Sequence, residues 1–174
     1  MPEYERFTKR YNRPDIKIYQ IQHVGIAGAL NYGIQKCKGR YILRADGDDA
    51  SVPERMAVQI ETLQKTDASV CGSAQRLCKN GITPELTDGV IQVFPRSNFR
   101  IKLASCYSNS ISHPTVCIDR WKLRHALVYP EHEKHEDYEL WSILALTEKF
   151  VNVSATLVNY RIHSGQYTNT TRYG

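Results

Sequence analysis

The chain has 174 residues, 41% of them hydrophobic and 24% charged, with a formal net charge of +5. This composition suits one soluble globular domain with a sizeable core, and no apolar run reaches membrane-spanning length or reads as a secretory leader. The basic residues form neither a block nor a motif interleaved with stacking aromatics, which argues against a nucleic-acid partner, whereas an anionic substrate or an acidic membrane surface suits the charge.

In chain order, residues 3–11 read as the end of a polar helix. Ile16 and Ile18 alternate within residues 15–20, predicting a strand. A helix follows over 25–38, with Ala27, Leu30, Ile34 and Cys37 on one face and Gly39 closing it. Residues 41–45 form a short apolar strand. The next helix has Ser51 near its start, Pro53 at a favoured early position and Met56, Ile60 and Leu63 as its apolar face. A short strand spans 68–73, Asn80-Gly81 marks a turn, and 90–94 form a strand. A short helix covers 100–106, a strand 114–118, a helix 136–149 facing a core through Leu140, Trp141, Leu144 and Ala145, and a last strand 150–160. Strands and helices alternate through the first half, which predicts an α/β fold with a mostly parallel central sheet flanked by helices.

The five cysteines form no Cys-x-x-Cys pair and have no histidine at zinc-finger spacing, so they read as reduced, largely buried thiols. Asn152-Val153-Ser154 and Asn169-Thr170-Thr171 match the glycosylation acceptor pattern, a weak three-residue signal. The strand at 41–45 runs straight into Asp46-Gly47-Asp48-Asp49. Carboxylates so close repel one another unless a positive group sits among them, and a hard divalent cation suits oxygen ligands. Ligands of open α/β sheets bind at the carboxyl ends of strands, which is where this cluster falls. A solvated acidic loop capping the next helix is the alternative.

Six segments occur in order: Gly25 to Gly33, Gly39-Arg40-Tyr41-Ile42, Asp46-Gly47-Asp48-Asp49 with Pro53-Glu54-Arg55, His113-Pro114-Thr115-Val116, Glu136 to Trp141, and Tyr160-Arg161-Ile162-His163. Together they resemble a family 2 glycosyltransferase, with a GT-A, Rossmann-like nucleotide-sugar fold, over residues 1–163; residues 164–174 read as a polar tail. The resemblance implies an inverting enzyme that moves a sugar from a nucleoside-diphosphate donor, a UDP-sugar for preference. The acceptor would be a glycan or lipid-linked hydroxyl in cell-envelope polysaccharide or lipopolysaccharide synthesis. It implies a cytoplasmic protein, compatible with peripheral association at the inner face of the membrane.

On the same basis Asp46 and Asp48 bind the ribose and a divalent metal, Mn²⁺ or Mg²⁺, with Gly47 leaving room for the diphosphate. Asp137 is the catalytic base, although acids also favour the first turn of any helix. Gly25 and Asn31 flank the nucleotide, or Asn31 bonds a neighbouring loop. His163 lies near the metal or on a surface loop. His113 lines the sugar pocket or is structural, and Trp141 packs beside the acceptor or in the core. Arg44 and Arg55 reach phosphate oxygens, or Arg55 pairs with Glu54 or Asp49. The family's first two strands and its Asp-Asp-Gly-Ser segment have no counterpart here. This predicts an N-terminally truncated domain with an uncovered sheet edge open to self-association. A non-catalytic fragment that binds metal, glycan or a partner chain is the alternative function.

Overall fold

The structure is a computed structural model that describes residues 15–79, 83, 88–131 and 135–165. Helix α1 (Gly25–Lys36) leads to β1 (Tyr41–Leu43) and β2 (Ala50–Ser51), then α2 (Arg55–Thr66), β3 (Val70–Cys78) and β4 (Val90–Gln92). Helix α3 (Asn98–Ser105), a 3₁₀ turn (His113–Thr115), β5 (Cys117–Asp119), α4 (Glu136–Ala145) and β6 (Phe150–Arg161) complete the order. The helix expected over 3–11, the Asn80-Gly81 turn and Asn169 lie outside the described residues, as does residue 166 onward of the expected tail.

The strands join in the order β1-β5-β3-β6-β2, with β4 on β3. The α/β architecture is as expected, but the sheet is mixed rather than mostly parallel. Only β3 and β6 pair in parallel, while β1–β5, β5–β3, β3–β4 and β2–β6 are antiparallel. The reason lies in β5, which enters from a 3₁₀ turn and slots between β1 and β3 in the opposite sense. Strands β1, β3 and β6 therefore still share one direction, and their carboxyl ends lie at one edge of the sheet.

Side chains alternate across this sheet as a two-sided sheet requires. Ile42, Val70, Ile118 and Phe150 join a core with Ala27 of α1, Ile101 of α3 and Leu140, Trp141 and Leu144 of α4. Their sequence neighbours Tyr41, Leu43, Cys71, Cys117 and Val151 join a second cluster with Leu63 and Ile60 of α2. Cys71 and Cys117 are buried, and burial pushes both thiols up to about 12, so they are inert packing groups. The same burial rules out a glycan on Asn152, whose amide donates to the carbonyls of Pro95 and Ser110.

Two expectations change. Residues 16–20 extend without a ladder, and Ile18, Tyr19 and Ile21 are exposed; an edge strand needs a neighbour, and among the described residues β1 pairs only with β5. Helix α2 starts at Arg55, beyond Ser51 and Pro53, and buries Arg55, Gln59 and Leu63 while Met56 is exposed. Every side-chain nitrogen and oxygen of this buried polar pair has a partner. Arg55 donates to Ser51 Oγ at 2.9 Å, to Gln59 Oε1 at 3.1 Å, and to the carbonyls of Arg44 at 2.8 Å and Val116 at 3.2 Å. Gln59 donates in turn to the carbonyls of Cys71 and Thr115.

Arg55→Met keeps the apolar stem but takes the donor from the Arg44 carbonyl and one of two donors from the Val116 carbonyl, which keeps the Arg44 N–H. It is expected to lower the unfolding free energy by about 3 kcal/mol in urea denaturation, the range for a broken buried polar network.

Candidate functional site

The carboxylate loop is built by strand register. Ala50 and Ser51 of β2 pair with Asn159 and Val158 of β6. Continuing that antiparallel ladder carries Asp49 and Asp48 to the residues that end β6. Asp49 Oδ1 accepts the backbone N–H of Arg161 at 3.0 Å, and Asp48 Oδ2 lies 3.0 Å from His163 Nε2. The bond with His163 holds the Asp48 carboxyl below the usual carboxylate range. Asp46 pairs with the Arg44 guanidinium, so Arg44 is engaged by a carboxylate. Asp49 differs from both: it is half-buried, its Oδ2 is buried without a hydrogen-bond partner, and burial pushes its carboxyl up to about 6. The loop thus carries three carboxylates, with Arg44 and the His163 imidazole in contact and the charge of Arg161 also acting on Asp48. A Cβ at Gly47 would meet nothing within 4 Å, so space over the loop backbone is open.

Asp137 sits in the first turn of α4 with Glu136 and Glu139. Its Oδ2 accepts from Asn109 Nδ2 at 2.6 Å and its Oδ1 from the N–H of Tyr138 at 2.8 Å. The residue before the helix, His135, holds a left-handed φ of 65°, a strained conformation for a side chain of its size. Asn109 belongs to a polar stretch, Ser108-Asn109-Ser110, that no spacing rule marks as functional.

Burial raises the Tyr129 hydroxyl, with further contributions from Arg44, which lowers it, and from Asp137, Glu136 and Asp46, which raise it. The Tyr129 hydroxyl bonds His113 Nε2 at 2.7 Å. Its backbone is clasped by Asn31, whose Nδ2 donates to the Tyr129 carbonyl at 2.9 Å and whose Oδ1 accepts the Tyr129 N–H at 2.7 Å. Of the two readings of Asn31, the structure shows the loop bond. Gly25 opens α1 with a φ of 70°, which favours glycine. Trp141 is a core residue, packed edge-on against Tyr129, His113 and Phe150. Arg55 binds carbonyls, Ser51 and Gln59, as described above.

Residues 3–120, more than half of the chain, match the family model described as glycosyl transferase family 2. The chain belongs to that family. It is 32% identical over 166 residues to the O-antigen biosynthesis glycosyltransferase WbnJ of Escherichia coli, covering 92% of this chain and 61% of that protein. It is 28% identical to the amylovoran biosynthesis glycosyltransferase AmsE of Erwinia amylovora, over 82% of this chain and 53% of the relative. It is 31% identical to the E. coli enzyme WfaP, named a UDP-Glc:alpha-D-GlcNAc-diphosphoundecaprenol beta-1,3-glucosyltransferase, over 81% and 53%. The fold matches S. aureus TarS residues 1–349 crystallised with UDP, at a TM-score of 0.66 and 17% identity, over 93% of this chain and 48% of that one. The family 2 chain thus spans about half to three-fifths of the lengths of these proteins.

In this family 2 domain, desolvation depresses the buried His113 imidazole to about 3, so it is neutral in the folded state. The unfolded chain takes up that proton near pH 6.5 and the native state does not, so the stability this site contributes falls as pH drops from about 6.5 to 3. Asp49, raised to about 6, slopes the other way between about pH 4 and 6. The difference between wild type and His113→Gln isolates the histidine. Wild type is expected to lose up to about 1.4 kcal/mol per pH unit more than the variant on acidification, read from urea midpoints.

Proposed function

We propose that this chain carries the donor-binding and base residues of an inverting glycosyltransferase. The enzyme would take a sugar from a nucleoside-diphosphate donor, UDP-linked for preference, to a hydroxyl of a glycan or lipid-linked acceptor in cell-envelope polysaccharide synthesis. The observation that carries this reading is the open acidic loop, where Asp48 meets His163 at 3.0 Å and the buried Asp49 Oδ2 has no hydrogen-bond partner. Relatives named for O-antigen and amylovoran synthesis support the setting, and a relative and a structural neighbour named with UDP support the donor class.

The donor set fits a divalent cation. Asp48 and His163 present an oxygen and a nitrogen in contact, and the Asp49 oxygen nearby has no hydrogen-bond partner. Among the described residues no group of three or more His, Cys, Asp or Glu side chains is placed to hold a metal ion by itself. Such an open set matches an ion completed by substrate phosphates and water. Asp48, Asp46 and His163 would hold the metal, which when bound neutralises charge on the leaving diphosphate. Gly47 leaves the backbone open for that group, and Arg44 beside Asp46 adds a cation. Gly25 and Asn31 border the nucleotide side, Asn31 by fixing the Tyr129 loop.

Asp137 then accepts the proton of the acceptor hydroxyl as that oxygen attacks the anomeric carbon. Donors from Asn109 and the Tyr138 amide fix its orientation. One base and one displacement invert the anomeric centre. Among the described residues β1 ends the strand order with one edge unpaired, which supports association through that edge.

In an active preparation, Asp137→Asn is expected to cut the transfer rate about 10²–10⁴-fold with an unchanged circular dichroism spectrum. Unchanged turnover would remove Asp137 from the chemistry. Asp48→Ala is expected to abolish Mn²⁺-dependent UDP binding in titration calorimetry. Binding retained in wild type without any transfer would favour a non-catalytic module.

A further inference from the structure

Helix α3 is apolar on both sides. Its inner face is spent on the core, where Ile101 is 1% exposed and Ser105 is 9% exposed. Its outer face carries Phe99 at 74% and Leu103 at 51% exposure, followed by Tyr107 at 82% in the turn that continues the helix. These three recur every four residues and so form one stripe. An apolar stripe of this size is ordinarily covered, and here Phe99, Leu103 and Tyr107 are exposed.

Charge says what covers it. Arg100 lies on one flank of the stripe and Lys102 on the other, and the exposed Arg96 precedes the helix. From residue 89 to residue 118 the sequence holds these three cations and no Asp or Glu. An aromatic and aliphatic stripe bordered by cations, with acids excluded from the surrounding segment, is the pattern of a surface that sits in an anionic lipid interface. A protein partner of matching shape would need acidic groups placed singly around the stripe. A bilayer rich in anionic lipid supplies them everywhere.

We propose that the outer face of α3, through Phe99, Leu103 and Tyr107 with Arg96, Arg100 and Lys102, docks the protein on an anionic phospholipid surface. The docking places the site in register with the membrane, because Tyr107 is two residues from Asn109, which holds Asp137. Tyr138 of the same helix as Asp137 also donates its hydroxyl to the carbonyl of Ser105 at the end of α3. The value of that placement for a lipid-linked acceptor rests on the glycosyltransferase reading. The docking itself does not.

The test is sedimentation of the full chain with vesicles of phosphatidylcholine and phosphatidylglycerol at 3:1, and with pure phosphatidylcholine, without donor or metal. Binding is expected to the anionic vesicles only, weakening as salt rises. Arg100→Gln with Lys102→Gln is expected to lower the partition coefficient about thirtyfold, since each cation near the surface contributes roughly fivefold. Phe99→Ser with Leu103→Ser is expected to lower it at least as much; Phe99, Arg100 and Leu103 are exposed and Lys102 is half-buried, and a wild-type urea midpoint confirms intact folding. Absence of binding to anionic vesicles, or binding that both pairs leave unchanged, overturns the proposal. So does a concentration-dependent dimer in sedimentation equilibrium that Phe99→Ser abolishes, which would give the face to a second copy. Because no transfer is measured, a failure of docking leaves the catalytic reading untouched, and an inactive chain can still bind vesicles.

Discussion

The site stands on the buried guanidinium of Arg55. Its acceptors come from four separate places: the end of β1, the residue before β5, Ser51 of β2 and the next turn of its own helix. None of those acceptors is a carboxylate, so the charge is stabilised by dipoles, and burial lowers the affinity of the group for its proton. The negative charge of Asp49 partly restores it. The same cation that ties β1 to β5 and α2 thus faces the acidic loop from below. The loop cannot shift without unseating a group that four elements share.

Around that tie, side-chain amides do most of the positioning. Gln59 spans from α2 to the carbonyls of Cys71 and Thr115. Asn31 clasps the Tyr129 backbone, Asn109 holds Asp137, and Asn152 holds the loops at Pro95 and Ser110. Gly72 is required by the last of these, because a Cβ there would lie 2.2 Å from Asn152 Oδ1. Primary amides offer donors and an acceptor at once without a charge to desolvate, so they can fix irregular backbone inside a core at modest cost.

What was legible in the sequence was local. Helix α1 follows from the spacing of Ala27, Leu30 and Ile34, and the strand-to-carboxylate junction at Asp46 follows from adjacency along the chain. The apolar face of α2 was misread at Met56 because hydrophobic periodicity cannot see Arg55 and Gln59, which are buried by virtue of partners distant in sequence. The strand expected at Ile16 and Ile18 has the right alternation, but strand formation depends on a neighbour that alternation does not supply. Strand direction was likewise out of reach: β5 reverses because of the 3₁₀ turn at His113, whose residues read as strand by composition. Asp48 and Asp137 come from a motif order, whereas Asn109, which bonds Asp137, and Tyr129 carry no motif.

The β2–β6 ladder has a consequence for how the molecule assembles. The contacts of Asp49 with Arg161 and of Asp48 with His163 join residues 112 and 115 apart. Closure over such a span comes late in folding, since the entropy of the loop is lost before the contact forms. The acidic loop therefore takes its shape only once the last strand has docked, and a cation or diphosphate bound there as proposed would hold that strand in place, making ligand occupancy and completion of the fold one equilibrium.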